Sequence, residues 1–261
     1  MKEKILYLAL IVLFLLSFYN LYNTKLLTQE ISQLSQEFNN PKIIYSTGNN
    51  NQKVYYTTER TIPIVAVSNN GMGVVGNLTV KLIPGNNNVL INTNPFLETD
   101  IQYSVNKAVT VAKLRSNYDF DRDFLFDFKA GNAQLIGGGS AGAAITIATI
   151  AALQNKTLKK DAVITGTINV DGTIGRVGGI IEKAKAVADA NYKYFLIPKG
   201  QSKITYYEKV VTKEPVGFGF EILNTRYVPK TIDLKEVAKK EWGLEIVEVS
   251  TIDDALPYFI K

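Results

Sequence analysis

At 261 residues, with 46% hydrophobic and 20% charged residues, the chain is long and apolar enough for one principal folded domain plus appendages. Its net charge of +5 is mild, and its lysines and arginines are scattered without a basic run or interleaved aromatics, so nucleic-acid binding is not expected. Histidine and cysteine are both absent, which excludes a Ser-His-Asp triad, a cysteine nucleophile, a disulfide framework and the usual zinc sites; no metal or cofactor site is expected.

In chain order, Met1-Lys2-Glu3-Lys4 precedes an uncharged stretch from Ile5 to Tyr22. At about 1.5 Å per residue this is just long enough to cross a bilayer core. Tyr19 and Tyr22 at its far end suit an interfacial aromatic belt. A cleaved signal peptide would have a shorter apolar core and an Ala-x-Ala-like site, and none lies between Ser17 and Thr24. Residues 1–24 are therefore expected to form a single-pass membrane anchor. Lys2 and Lys4 before the span, against Glu30 and Glu37 after it, put the N-terminus in the cytoplasm and the body outside. The sequons Asn77-Leu78-Thr79 and Asn155-Lys156-Thr157 are compatible with that side.

Leu26, Leu27, Ile31, Leu34 and Phe38 fall near helical spacing in a polar background, which predicts a short amphipathic stalk and makes it a candidate for homo-oligomeric association. Asn39-Asn40-Pro41 ends it. Residues 25–60 thus read as helical stalk and Asn-rich linker, and 61–261 as the body.

Within the body, Ile62–Val67 and Leu78–Ile83 read as strands flanking an Asn69-Asn70-Gly71 turn, and Val89–Ile91 as a short strand after the Pro84–Asn88 turn. Thr99 and Gln102 suggest a capping box for a helix running to about Arg115, with Ile101, Val105, Ala108, Val109 and Ala112 facing the core. Phe124, Phe126 and Phe128 alternate as on a strand. A helix from Ser140 to about Asn155, a strand near Val163–Asn169, a helix from Ile180 and a strand at Tyr194–Ile197 follow. Ser202 to Thr231 is less regular and reads as an insertion, either a flap or an oligomer contact. Leu234–Trp242 reads as helix, Glu245–Val249 as strand and Asp253–Phe259 as helix. Such mixing gives an α+β or mixed α/β class.

Ser140 lies in Gly137-Gly138-Gly139-Ser140-Ala141-Gly142. Three glycines let a ligand approach the backbone, and a helix start offers free N–H groups for a developing oxyanion. The plainer alternative is a flexible turn in which Ser140 is only an N-cap. Lys183 falls on the same face as Ile180, Ala184, Val187 and Ala188, whereas Glu182, Lys185 and Asp189 occupy the other side. A lysine turned towards a core either loses its proton, and can then act as a general base, or snorkels out along its stem.

Together these segments resemble the protease domain of the Lon family. The serine loop is similar to that family's Gly-Pro-Ser-Ala-Gly, and Gly178-Gly179-Ile180-Ile181-Glu182-Lys183 to its Gly-Gly-x-x-Glu-Lys. Thr165-Gly166 matches a Thr-Gly between them, and Asp171 to Gly179 resembles the turn leading into the lysine helix. The resemblance runs from about Thr61 to Lys199 and implies a Lon protease-domain-like fold over 61–261. It further implies Ser140 as nucleophile, Lys183 as general base, Thr165 as the hydroxyl holding the amine, and the N–H groups of Gly139 and Ser140 as an oxyanion hole. Gly137 and Gly139 stand where the family has Asp and Pro, and Thr167 where it has Glu.

No Gly-x-x-x-x-Gly-Lys-Ser/Thr motif occurs, so the expected activity is ATP-independent endopeptidase action on peptides or unfolded proteins. Two competing readings are a catalytically inactive membrane-anchored binding or scaffold module and a phosphate-binding protein akin to small-molecule kinases, whose glycine-serine loops resemble Gly137–Ala144.

Overall fold

The computed structural model describes residues 54–261 except 117, 119–120, 132–134 and 218–219, together with 17, 19, 21–25, 27–29 and 42–44; at 42–44, 54–56, 216–217 and 220–221 it describes the backbone alone. Contacts divide the chain into a unit of Met1–Thr58 and a unit of Glu59–Lys261. In the first, described residues between Ser17 and Gln29 are helical, and strand β1 (Lys42–Ile44) pairs antiparallel with β2 (Val54–Tyr56). No helix among the described residues is long and apolar enough to cross a membrane. Most of the Ile5–Tyr22 stretch and most of the expected stalk lie outside the described residues.

The second unit is mixed α/β. Strands β3 (Thr58–Val67) and β4 (Gly73–Pro84), joined at the predicted Asn69-Asn70-Gly71 turn, begin a four-stranded sheet. It is completed by β5 (Val89–Ile91) and β7 (Arg122–Lys129) in the order β3-β4-β7-β5. On β7 the alternation of Phe124, Phe126 and Phe128 turns all three rings inward with no exposed surface, as the period of two requires. Short strands β6 (Phe96–Leu97) and β8 (Leu135–Ile136) pair in parallel on either side of helix α1 (Thr99–Leu114).

Helix α1 buries Ile101, Val105, Ala108, Val109 and Ala112, but its start differs from the sequence expectation. Glu98, not Thr99, is the N-cap, and no side chain caps it. The Glu98 N–H donates to Ile136 O (3.0 Å), so the β6–β8 pairing holds one residue more in extended form and makes Thr99 the first helical residue. Gln102 then sends its amide to Leu97 O (3.1 Å) instead of closing a box.

Helix α2 (Gly142–Leu153) follows a 3₁₀ turn, Gly139–Ala141, and packs against α1 and α5 (Ile252–Phe259). Every residue from Gly142 to Ala152 is buried, as its uncharged composition requires. Beyond it, β9 (Ala162–Ile164), β12 (Tyr194–Pro198) and β15 (Glu245–Val249) form an all-parallel sheet in the order β15-β12-β9. On β12, Leu196 enters the core shared with α1 and α2, whereas Phe195 and Ile197 enter a second core with Ile180, Ala184 and Val187 of α3 (Ile180–Asp189). A parallel strand covered on both faces reads as a continuous apolar run, and Phe-Leu-Ile-Pro is one.

The expected Val163–Asn169 strand is broken. Strand β9 ends at Ile164; Thr165 N still donates to Leu196 O (3.0 Å), Gly166 leaves β12, and β10 (Thr167–Ile168) pairs antiparallel with β11 (Ile174–Gly175). The stretch read as irregular is instead a long antiparallel ribbon of β13 (Lys203–Gly217) and β14 (Phe220–Asp233), in one register from Lys203↔Asp233 to Pro215↔Glu221 and shifted at Gly217↔Phe220. It leads into the one-turn helix α4 (Leu234–Val237) and a π-helical turn, Ala238–Trp242.

Candidate active site

Three segments converge at the N-terminal end of α2. Gly138 has φ +88°, a conformation that glycine adopts freely and other residues rarely do; it turns the chain from β8 into the 3₁₀ turn carrying Ser140. The broken strand supplies Thr165 and Gly166. Gly166 N donates to Ser140 O (2.8 Å), and Ala143 N donates to Gly166 O (3.0 Å), so the serine turn is stitched to the segment after β9 through the main chain. Helix α3 supplies Lys183.

Lys183 is 4% exposed, and its Nζ donates to Ser140 Oγ (3.0 Å) and to Thr165 Oγ1 (3.3 Å). It does not snorkel. Its neighbours on the apolar face, Ile180, Ala184 and Val187, are buried with it, and Glu182, Lys185 and Asp189 are exposed. Thr165 is fully buried, receives the amine and donates its own hydroxyl towards Ser140 O (3.4 Å). Ser140 caps no helix: the N-cap positions of the 3₁₀ turn and of α2 are Gly138 and Ala141. The structure thus brings Ser140, Thr165 and Lys183 together, with the Gly139 and Ser140 amides at the start of the same turn.

Electrostatics favour a reactive amine. Burial pushes Lys183 down from the ordinary lysine value to about 8, with the Glu182 carboxylate opposing. A neutral amine at hydrogen-bond distance from a hydroxyl can take its proton, and amides at the first turn of a helix can stabilise the negative charge that follows. A cavity of about 380 Å³, lined by Val67, Gly71, Gly178, Gly179, Glu182 and Lys183, opens beside the amine.

Two supporting residues carry no recognisable sequence signal. Ser104 on α1, buried, donates to Gly139 O (3.4 Å) and ties the serine turn to that helix. Glu98 lays its carboxylate where a Cβ on Gly137 would collide with it. A carboxylate therefore stands beside the serine loop although residue 137 contributes none.

Comparison with known proteins points to one protease family. Residues 97–213 match the model of the Lon protease (S16) C-terminal proteolytic domain. The archaeal Lon protease of Thermococcus kodakarensis is 32% identical over 88 residues, covering 34% of this chain and 13% of that protein. The Lon protease of Azospirillum brasilense is 30% identical over 122 residues, covering 46% of this chain and 12% of its own length. A mitochondrial Lon protease homolog of Candida dubliniensis is 31% identical over 99 residues, or 38% and 9% of the two chains. The chain spans only a small fraction of the length of these relatives. The family match encloses Ser140, Thr165 and Lys183, so the stretch that holds all three is similar to the Lon-family proteolytic domain.

Proposed function

We propose that this domain is a serine endopeptidase working through a Ser140–Lys183 dyad, without ATP, on peptides or unfolded segments. The observation that carries the reading is the 3.0 Å contact between Lys183 Nζ and Ser140 Oγ at a buried amine whose second partner is Thr165. Neutral Lys183 takes the Ser140 proton as Oγ attacks the scissile carbonyl carbon, and the oxyanion is received by the Gly139 and Ser140 N–H groups. The resulting ammonium, steadied by Thr165, protonates the leaving amine as the C–N bond breaks. Water then gives a proton to Lys183 and attacks the ester, and the proton returns to Oγ as the acid departs. The chain's sequence contains no P-loop motif, so substrate reaches the site already extended. The N-terminal apolar stretch anchors the protein with the protease domain on the outer face of the membrane.

A phosphate-binding reading gives the Lys183–Ser140–Thr165 contact no role, whereas the dyad uses all three groups. The test is hydrolysis of a fluorescently labelled unfolded protein by the purified chain without ATP, beside Ser140→Ala and Lys183→Ala. Wild-type turnover lost in both folded variants is the expected result. Turnover that survives either substitution overturns the dyad, and no turnover in any form favours a binding module.

A further inference from the structure

One buried side chain outside the dyad is committed to the approach of the lysine helix. Gln201 is 9% exposed, and its primary amide bonds both ways with a single residue: Val177 N donates to Oε1 (3.0 Å), and Nε2 donates to Val177 O (2.8 Å). A glutamine amide carries one acceptor and one two-proton donor, so this pairing imitates a strand partner for an isolated backbone unit.

Val177 is followed only by Gly178 and Gly179 before α3 begins. Gly179, at φ +64°, is the N-cap and no side chain caps the helix. Lys183 N donates to Gly179 O (3.0 Å), so the first turn of α3 hangs directly from this uncapped pair of glycines. The apolar contacts of Ile180, Ala184 and Val187 hold the helix against β12 but are not directional along its axis. Besides the bonds of the Lys183 amine itself, a directional contact at the approach to the helix is the one from Gln201.

Gln201 is itself fixed. Gly200 N and Ser202 N on either side donate to Glu248 Oε1 on β15 (3.0 and 2.9 Å), and Leu234 N donates to Ser202 O (2.8 Å). A cavity of about 360 Å³ between the start of α3 and the foot of the β13–β14 ribbon, with Ile181, Glu182, Gln201 and Lys203 in its walls, leaves the first helical turn room to move.

We propose that Gln201 is a positioning residue: its amide pair with Val177 sets where α3 lies along its axis, and thereby holds the Lys183 amine in reach of Ser140. The effect on rate rests on the peptidase reading; the effect on the amine does not. A general base must stay within about 2.6–3.2 Å of the proton it takes, and a displacement of about 1 Å can cost on the order of a hundredfold.

The test compares the full chain with Gln201→Leu, which keeps the volume and removes both bonds. The chain carries ¹³Cε-labelled lysine, with the Lys183 resonance assigned by its loss in Lys183→Arg. Among the described residues Glu182 is the charged group acting on this amine, and it is unchanged in the variant. The proposal expects the Lys183 titration to move up towards the ordinary lysine value as the amine gains water. It also expects kcat for a fluorogenic peptide to fall tenfold or more with KM within about twofold. A Gln201→Leu protein that only melts earlier, with the Lys183 titration and kcat at wild-type values, overturns it and makes Gln201 merely structural. Should that variant not fold, Gln201→Met keeps the length, removes both bonds without adding a charge, and is read in the same way. Wild-type chain that cleaves no peptide, or Ser140→Ala that cleaves normally, counts against the dyad, and the titration still decides the role of Gln201.

Discussion

Lys183 carries most of the chemical tension in the molecule. Burial lowers its affinity for a proton to about 8, so at neutral pH the resting amine is mostly protonated and the base-competent form is the minority. The sign follows directly. The amine titrates to its neutral form as pH rises, so hydrolysis should climb through pH 7 and level off above about 8, and at pH 6 only about one hundredth of the amine is neutral. A pH–rate profile of kcat/KM on a short peptide checks this; a profile flat from pH 6 to 9 would remove Lys183 from the rate-limiting step. Thr165 offers a second test at the same scale. Its fully buried hydroxyl is a partner of the amine, and Thr165→Val keeps the shape while removing that acceptor. A neutral–charged hydrogen bond is worth about 1.5–3 kcal/mol, so the expected loss in kcat is roughly ten- to a hundredfold. KM should hold, because the hydroxyl faces the lysine and not the cavity.

Among the elements, the join between β12, the ribbon and β15 is tied together at Glu248, which accepts from Gly200 N, Ser202 N and Lys235 Nζ. Burial pushes the Glu248 carboxyl up, but hydrogen bonds from Ser202 and Lys235 outweigh it and hold the group at about 2. A carboxyl depressed in the folded state adds stability above its unfolded value and loses it as pH falls, here between about 4.5 and about 2. Glu248→Gln should therefore lower Tm at pH 7 and flatten the acid limb of Tm against pH, measured by circular dichroism from pH 6 to 2. An unchanged acid limb would show that other carboxyls dominate the acid transition. The same scale shows where reading elements from sequence stops working. Helix α3 and strand β7 were legible because each follows its own period, 3.6 and 2, through Ile180, Ala184 and Val187 and through Phe124, Phe126 and Phe128. The Thr99–Gln102 cap was not, because the extra extended residue at Glu98 is set by a hydrogen bond from another strand. The ribbon was read as irregular because its partners, such as Tyr206↔Lys230 and Lys209↔Tyr227, are polar on both faces and give no alternation of hydrophobicity.

For the whole molecule, the ribbon and the body separate energetically. None of the described residues between 206 and 230 is buried, and Tyr207, Leu223 and Tyr227 are largely exposed. Thr205 and Thr231 are directly paired, with their hydroxyls 3.0 Å apart, so an Asn-Gly turn can close the ladder there. Replacing 206–230 with that dipeptide should leave the body folded, with Tm lowered by no more than about 5 °C, because no core surface is removed. Loss of cooperative melting in the shortened chain would show that the ribbon belongs to the folding unit.

What the sequence determined on its own was local: the absence of histidine and cysteine that limits the available chemistry, the periodicity that puts Lys183 on the apolar face of its helix, and the glycine run that frees the backbone before Ser140. These are legible because composition and period survive without knowledge of the partner. What only the tertiary structure decided was who meets whom. The break after β9 brings Thr165 and Gly166 onto the serine turn, Glu98 fills the space above Gly137, and Gln201 clasps Val177 across the foot of the ribbon. Each of these joins residues far apart along the chain, and the partner of a buried polar group is chosen by how sheets and helices pack, which no repeat along the chain encodes.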